Sequence, residues 1–257
     1  MRADDVKKYL TIPRFDRIPW LVHGFGTKDW KLRDFQDCAD WRNFKIVCLD
    51  QVHSDKIQFI DKIPRQRPKG DALATARPGI FLIIKTADCL PLFLVDESRR
   101  VIAAVHCGWR GIQKRVAERT VRELKTHYGC EPSSLLAALG PCIGPGCYEV
   151  GKDVRRGFKS AHFPLDVFRP HPQRPGKYFL DLLSATRLQL RGQGLAEKNI
   201  FMLSVCTHCA ARLLSYRRDR DQRARLFNFI GVKATHYANS RLYSASPRDF
   251  YGNLRNE

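Results

Sequence analysis

The chain has 257 residues, of which 44% are hydrophobic and 28% are charged, and its formal net charge at pH 7 is +19. This composition excludes a disordered or collagen-like chain, and the lack of any run of about 18 apolar residues excludes a transmembrane helix. The length predicts one large domain, 1–257, with the Arg-rich residues after about 232 as a C-terminal extension.

The cysteine content predicts the cellular compartment of the protein, and the distribution of basic residues predicts the class of its binding partners. The N-terminal stretch MRADDVKKYL is charged and lacks an apolar segment, so we expect no secretory signal. Nine cysteines, an odd number in a chain too large to need disulfide staples, favour reduced thiols and a cytoplasmic location. The basic residues are spread along the chain, and the densest stretch, 215–225, is interrupted by Asp219 and Asp221. This pattern argues against nucleic acid and favours anionic small molecules as partners.

Short apolar runs rich in β-branched residues predict strands in the first half of the chain. They cover residues 45–49, 56–60, 80–85, 90–95 and 101–106. The intervening DESRR segment, between the last two runs, predicts a hairpin turn.

The second half of the chain adds helical patterns. Apolar residues recur at helical spacing over 112–129, which predicts one amphipathic helix that Gly129 ends in the left-handed conformation. Asp181 is placed to cap a second helix over 182–192.

The remaining segments complete a mixed pattern. Residues 133–140 and 199–205 predict later buried strands, and the Pro-rich residues 169–177 predict an exposed loop, either a connector or a flap. Strands occur both in hairpins and alternating with helices. We therefore predict an α+β fold, a layered α/β arrangement with a mixed β-sheet core and helices packed outside.

Three residues with metal-binding side chains stand where predicted strands begin or end. They are His53 in QVHSD, Cys89 in TADCLP and His106 in AAVHCGWRG. We interpret them as one three-ligand set, although each residue alone is equally consistent with packing or hydrogen bonding. Three protein ligands leave a fourth tetrahedral position open, which is the geometry of a catalytic zinc.

Two neighbouring residues add candidates for catalysis and anion binding. Asp88 precedes Cys89, and successive strand residues point to opposite faces, so the Asp88 carboxylate need not touch a metal. It could orient a ligand, act as a general base or cap a turn. Arg110 lies just before the 112–129 helix and offers a bidentate donor for phosphate or carboxylate, or else is a surface residue.

Two further cysteine motifs are less specific. The segment GPCIGPGCYEVG, residues 140–151, contains Cys142 and Cys147 and is consistent with a rigid wall of the site. The segment CTHC, residues 206–209, has the spacing of a redox or zinc pair. A single pair of this kind is a weak indication, so the sequence does not establish a second metal site.

The chain resembles the YfiH-type laccase-domain family over roughly residues 20–230. Members of this family have been named multicopper polyphenol oxidoreductases, purine nucleoside phosphorylases and peptidoglycan editing factors. The resemblance rests on six motifs in the family's order, QVHSD, GDALAT, KTADCLPLFLVD, AAVHCGWRGI, LGPCIGPGCYEVG and SYRRD.

The resemblance implies a single zinc held by the histidine of QVH, the cysteine of ADC and the histidine of VHxGWRG. In this chain those residues are His53, Cys89 and His106. It also implies phosphate-dependent cleavage of adenosine, inosine and methylthioadenosine, adenosine deamination, and the layered α/β fold of the family. The expected partners are therefore a purine nucleoside and phosphate.

Our leading hypothesis is a zinc-dependent purine nucleoside phosphorylase with adenosine deaminase activity. In it, Asp88 transfers a proton, and Arg110 and Arg217 bind phosphate. The alternative is amide cleavage in a misincorporated muramyl-serine cell-wall precursor, in which the Cys89 thiolate or a zinc-bound hydroxide attacks the carbonyl. A zinc-bound thiolate is a damped nucleophile, so these two roles of Cys89 exclude each other. A third hypothesis is a non-enzymatic nucleic-acid-binding module that retains zinc.

Residue counts separate zinc from copper. A four-copper laccase needs many histidines, typically in His-x-His pairs, whereas the chain has eight histidines and no such pair. A blue-copper centre takes a weak axial ligand, often Met, and only Met1 and Met202 are present. The counts favour zinc over copper and over a polyphenol oxidoreductase, although copper can displace zinc from a nitrogen–sulfur site.

Overall fold

The computed structural model describes residues 8–38, 41 and 43–234. The strands are β1 (Tyr9–Leu10), β2 (Leu21–Gly26), β3 (Lys45–Cys48), β4 (Ile57–Phe59), β5 (Ala72–Thr75), β6 (Ile80–Thr86), β7 (Leu90–Asp96), β8 (Val101–Cys107), β9 (Leu136–Leu139), β10 (Glu149–Gly151), β11 (Phe168–Pro170), β12 (Lys177–Leu180), β13 (Ile200–Met202) and β14 (Leu226–Val232). The α-helices are α1 (Pro13–Asp16), α2 (Asp34–Asp37), α3 (Trp109–Gln113), α4 (Val116–Tyr128), α5 (Lys152–Ser160), α6 (Leu182–Gly192) and α7 (Tyr216–Asp219).

Two mixed sheets organise the described residues. One has the strand order β1-β2-β14-β6-β3, in which only the β3–β6 pair is parallel. The other has the order β13-β9-β7-β8-β5-β4, with parallel pairs at both edges. A small antiparallel sheet, β10-β12-β11, lies beside them. The structure thus confirms the predicted α+β class with a mixed-sheet core.

Side chains on β6 alternate between two apolar layers. Ile80, Leu82 and Ile84 are buried in the cluster between the two large sheets, whereas Phe81 and Ile83 belong to an aromatic cluster on the outer face. This period-two pattern is what a strand buried on both faces requires. The run that predicted this strand is apolar at all of positions 80–84 for that reason.

The β7 strand alternates in the same way in the second sheet. Phe93 and Val95 face the layer between the sheets, and Leu90, Leu92 and Leu94 pack in the cluster that also contains the buried faces of α4, α5 and α6. Each fully buried side chain of this size contributes about 1.5–3 kcal/mol of burial free energy. The helices α4, α5 and α6 therefore cover the outer face of this second sheet.

The predicted helix over 112–129 is wrong in one respect, because the structure divides it into α3 and α4. Arg115 adopts a left-handed conformation with φ 63° at the break. Its guanidinium donates to the backbone oxygens of Ala161 and His162 at 3.2 and 3.1 Å, so contacts distant in sequence stabilise the break. The predicted end is confirmed, since Gly129 is left-handed with φ 67°.

The other predicted elements have mixed outcomes. Asp181 caps α6 by accepting a hydrogen bond from Ser184 N at 3.0 Å, as predicted. The Pro-rich residues 169–177 are the connection of the β11–β12 hairpin together with its flanking strand residues. The extension predicted after about 232 lies almost entirely outside the described residues. No helix within the described part of the chain has the length and apolarity needed to cross a bilayer.

Candidate metal centre

A short crossing between the two large sheets positions Cys89. β6 ends in one sheet at Thr86 and β7 begins in the other at Leu90, so residues 87–89 carry the chain from one sheet to the other. Asp88 within this turn has a φ of 87°, which is uncommon for a residue other than glycine and is often found at functional sites. The strand switch therefore explains why a polar turn interrupts a long apolar run.

Hydrogen bonds to the Asp88 carboxylate hold this turn. One oxygen accepts from Thr207 Oγ1 at 2.6 Å, and the other accepts from the Arg217 backbone N at 2.7 Å. Asp88 is buried, so these bonds also anchor the start of α7 beside Cys89. These contacts match a positioning role, while the predicted proton-transfer role of Asp88 stays a prediction.

The structure brings the three predicted metal ligands together, and we call His53, Cys89 and His106 the inner set. Their ligand atoms all lie within 4.8 Å of one another. His53 belongs to the loop after β3 and has a φ of 55°, and His106 lies on β8 opposite Pro91. The arrangement offers two imidazole nitrogens and one sulfur, which is a donor set that zinc accepts.

Asp71 links two members of the inner set. Its Oδ1 atom lies 2.8 Å from His106 Nδ1 and accepts a hydrogen bond from the His53 backbone N at 3.0 Å. Its Oδ2 atom accepts hydrogen bonds from Ser54 N and Ser54 Oγ at 2.5 and 2.7 Å. With Nδ1 bound to a carboxylate, the Nε2 atom of His106 is left to bind a metal.

Charges within the site shift the pKa values of its members. Burial raises the pKa of the Cys89 thiol, but His106 and His53 outweigh burial and lower this pKa to about 6. Burial lowers the pKa of His106, whereas the Cys89 charge and the Asp71 hydrogen bond raise it to about 9. Burial raises the pKa of Asp71, but hydrogen bonds from His106 and Ser54 lower it to about 2. The site therefore favours a thiolate and a carboxylate around positive charge, which a divalent cation can supply.

Gly108 lies next to all three residues of the inner set. A Cβ atom at this position would lie 3.0 Å from His53 Cδ2, 3.1 Å from Cys89 Sγ and 3.5 Å from His106 Cε1. Only a residue without a side chain leaves the space that all three ligands border. This clearance and the donor set together show that the residues present fit a metal ion.

An aromatic and basic wall lies beside the inner set. Burial raises the pKa of the Tyr148 phenol, the charge of Cys89 raises it further, and Arg217 and Arg110 oppose this rise. The Arg217 guanidinium lies 5.4 Å from the Tyr148 ring centroid and donates twice to the Glu149 backbone oxygen at 3.1 Å. Arg110 is exposed and stacks on Trp109 at 4.4 Å. Both predicted phosphate-binding arginines thus lie near enough to Tyr148 to affect its titration, and their role stays a prediction.

Sequence reasoning did not identify Asp71 or Tyr148 as functional candidates. Two signals were available for Asp71, namely its position just before β5 in GDALAT and the need of a ligand histidine for a carboxylate partner. Tyr148 follows Cys147 in the Gly/Pro-rich segment, and only the folded chain places it near Cys89.

Comparison with known proteins agrees with this architecture. The chain is 34% identical over 206 residues to "Purine nucleoside phosphorylase YlmD" of Geobacillus stearothermophilus, covering 75% of each chain. It is 38% identical over 173 residues to "Adenosine deaminase RL5" of an unidentified prokaryote, covering 64% of this chain and 66% of the relative. The crystal structure of Bacillus licheniformis YfiH superimposes with a TM-score of 0.80 at 27% identity, covering 89% of this chain and 98% of that one.

The family comparison includes most of the described fold. Residues 31–233 match the family described as "Multi-copper polyphenol oxidoreductase laccase", and this range contains the whole inner set. The resemblance stated from six sequence motifs is therefore confirmed, and the chain belongs to the YfiH-type multi-copper polyphenol oxidoreductase laccase family.

Proposed function

We propose that this protein is a zinc-dependent purine nucleoside phosphorylase that also deaminates adenosine. One observation carries the proposal, namely the convergence of two imidazoles and a thiol around Gly108 with Asp71 behind them. The names of the relatives supply the substrate class, since one is a purine nucleoside phosphorylase and another an adenosine deaminase.

Zinc is the metal that the donor set favours. Its three protein ligands would be His53, Cys89 and His106, and a fourth position would stay open to solvent or substrate. When bound, zinc supplies a Lewis acid and lowers the pKa of water to about 7. The sulfur and nitrogen donors also suit copper, but the histidine count leaves no set of paired ligands for a four-copper centre.

The surrounding residues would bind and orient the substrates. Arg110 and Arg217 would attract phosphate, an effect that the net charge of +19 reinforces at long range. Tyr148, whose raised pKa keeps the phenol protonated at neutral pH, would donate a hydrogen bond to the nucleoside or the phosphate. Asp88 would fix the backbone of Arg217 and is the candidate for proton transfer.

In each of the two proposed reactions, every bond formed is matched by a bond broken. In phosphorolysis, a phosphate oxygen forms a bond to C1′ of the ribose as the C1′–N9 bond breaks, and the released purine takes up a proton. In deamination, water adds at C6 of adenosine and ammonia leaves, which gives inosine. Phosphate is a reactant only in the first reaction, so the two activities can be measured separately.

The test is chromatography of products after incubation of the purified protein with adenosine, with and without inorganic phosphate. We expect adenine and ribose 1-phosphate only when phosphate is present. Deamination should give inosine without phosphate, and inosine together with hypoxanthine when phosphate is present. Metal analysis of the same sample should find zinc. A matched control is Cys107→Ala, which removes a buried thiol from the opposite face of β8 and should leave both activities intact.

Two outcomes would contradict the proposal. The first is the absence of nucleoside turnover in a folded, zinc-loaded sample. The second is turnover that persists at full rate after zinc is removed by a chelator. Serine release from a muramyl-serine precursor in the first case would instead support the amide-cleaving alternative.

A further inference from the structure

A second group of metal-binding side chains lies outside the inner set. The ligand atoms of Cys147, His208 and Cys209 all lie within 4.8 Å of one another, and we call these residues the outer set. They come from the two less specific cysteine motifs of the sequence, the Gly/Pro-rich segment 140–151 and CTHC. Residues more than fifty positions apart thus converge on one point.

Two thiols of the outer set are unbonded and stand at a spacing close to that of two ligands of one metal ion. Cys147 Sγ and Cys209 Sγ are 3.4 Å apart. Two thiolates on one tetrahedral zinc stand about 3.8 Å apart, because each Zn–S bond is about 2.3 Å. A disulfide bond is only about 2.05 Å long, so the observed separation is closer to that of two ligands of one ion.

Cys206 supplies a further donor beside the outer set. Its thiol accepts a hydrogen bond from Gly144 N at 3.1 Å and interacts electrostatically with Cys147 and Cys209. Backbone contacts hold the same region, since Thr207 N donates to the Cys142 oxygen at 3.0 Å. Three thiols and one imidazole match the closed Cys3His set of a structural zinc site.

We propose that the outer set binds a second zinc ion, with the Cys206 thiol as its fourth ligand. The thiols release their protons to solvent when the metal binds, and the four donors leave no open position for a substrate. The site is therefore structural, and its function is to fasten the segment 140–148 to the CTHC loop.

A metal ion at the outer set would also affect the inner set, because two residues adjacent in sequence to the outer ligands contact or border the inner set. Tyr148 follows Cys147 directly and forms part of the wall beside Cys89. Thr207 lies between Cys206 and His208 and donates to the Asp88 carboxylate at 2.6 Å. A metal at the outer set would thus hold the turn that presents Cys89 without touching the substrate.

The test counts zinc in the full-length protein and its variants by elemental analysis. We expect about two zinc ions per chain in the unaltered protein and about one in each of Cys89→Ala and Cys209→Ser, because each variant disrupts one site. The double variant should retain almost none. Cys38→Ser, which removes a cysteine remote in sequence from both sets, should still bind about two.

Alkylation of the unaltered protein tests the proposal without a variant that must fold. In the zinc-loaded protein, Cys147 and Cys209 should resist a thiol reagent, and both should react after a chelator removes the metal. Mass spectrometry of the peptides identifies the labelled residues.

Three results would overturn the proposal. They are a single zinc that Cys89→Ala removes completely, alkylation of Cys209 at the same rate with and without chelator, and a Cys147–Cys209 disulfide in protein purified with reductant. None of these results depends on nucleoside turnover. The proposal of a second zinc site can therefore be refuted while the proposed enzyme activity holds, and the enzyme activity can be refuted while the second zinc site holds.

Discussion

The inner and outer sets combine the same kinds of ligand, but the fold holds them in different ways. The inner set combines two residues at strand ends, Cys89 and His106, with His53 of the loop after β3. The buried carboxylate of Asp71 links His53 and His106, and Gly108 leaves space between the three ligands. The outer set lies on two loops, and Cys209 is exposed. The comparison shows that ligand identity alone does not define a catalytic metal site.

The surroundings decide which set can support chemistry. Beside the inner set lie Tyr148, Arg110 and Arg217, which we propose as substrate-binding residues, and a metal held by three ligands would keep one coordination position open. Beside the outer set lies a further thiol, Cys206, which would close the coordination shell. We therefore expect changes at the inner set to abolish turnover and changes at the outer set to weaken the structure first.

The largest effect should follow from Cys89→Ala. Loss of the single sulfur ligand leaves two imidazoles, and we expect zinc to be lost and kcat/KM for adenosine phosphorolysis to fall by about a thousandfold or more. This corresponds to about 4 kcal/mol, in line with the several kcal/mol that a catalytic metal supplies. Steady-state kinetics and elemental analysis measure both effects. Cys107→Ala is the control, and full activity of Cys89→Ala would remove the distinction between the two sets.

Asp71→Asn should have the next largest effect. The amide keeps the shape of the side chain but removes the negative charge that orients His106, and changes of this kind cost about 10–100-fold in metal affinity or activity. Competition with a chromophoric chelator measures the zinc affinity. Ser54→Ala is a matched control, because it removes one hydrogen bond to Asp71 and leaves the carboxylate on His106. Equal zinc affinity in Asp71→Asn and the unaltered protein would show that this carboxylate does not tune the inner set.

The sequence predicted which ligand residues come together in the inner set, but not the residues and strand arrangement that hold them there. Strand ends could be read from apolar runs, and three metal-binding side chains at those ends identified His53, Cys89 and His106. Periodicity does not show that β6 and β7 belong to different sheets, because a strand buried on both faces looks the same in either. The β14 run, LFNFIGV, was not predicted as a strand although it pairs with both β2 and β6.

Long-range contacts explain the remaining differences between prediction and structure. The break at Arg115 depends on carbonyls near residue 161, which no local pattern reveals. The outer set likewise joins segments far apart in the chain, so CTHC alone was a weak indication. Asp71 was within reach of sequence reasoning, since a ligand histidine commonly pairs with a carboxylate.

Gly108→Ala tests the cleared space at the inner set and should have a smaller effect. The new methyl group would press against His53 and Cys89 at 3.0 and 3.1 Å, so the ligands must move by a few tenths of an ångström. We expect zinc affinity to fall about tenfold, which corresponds to about 1.4 kcal/mol. The same chelator competition measures it. Gly192→Ala is the control, because a Cβ there meets nothing within 4 Å. An unchanged zinc affinity in Gly108→Ala would show that the side chains of His53 and Cys89 move aside without cost, as we expect only for ligands on flexible loops.

Gly144→Ala applies the same perturbation to the outer set and should have the smallest effect. Its Cβ would lie 3.3 Å from both Cys206 Cβ and Cys206 Sγ, a milder crowding on a loop that can adjust. We expect zinc release from the outer set to become about two- to fivefold faster, a change of less than about 1 kcal/mol. Measuring release in the Cys89→Ala background isolates the outer metal, and Gly146→Ala, with nothing within 4 Å, is the matched control. An effect as large as that of Gly108→Ala at the inner set would mean that the loops hold their ligands as rigidly as the strands do.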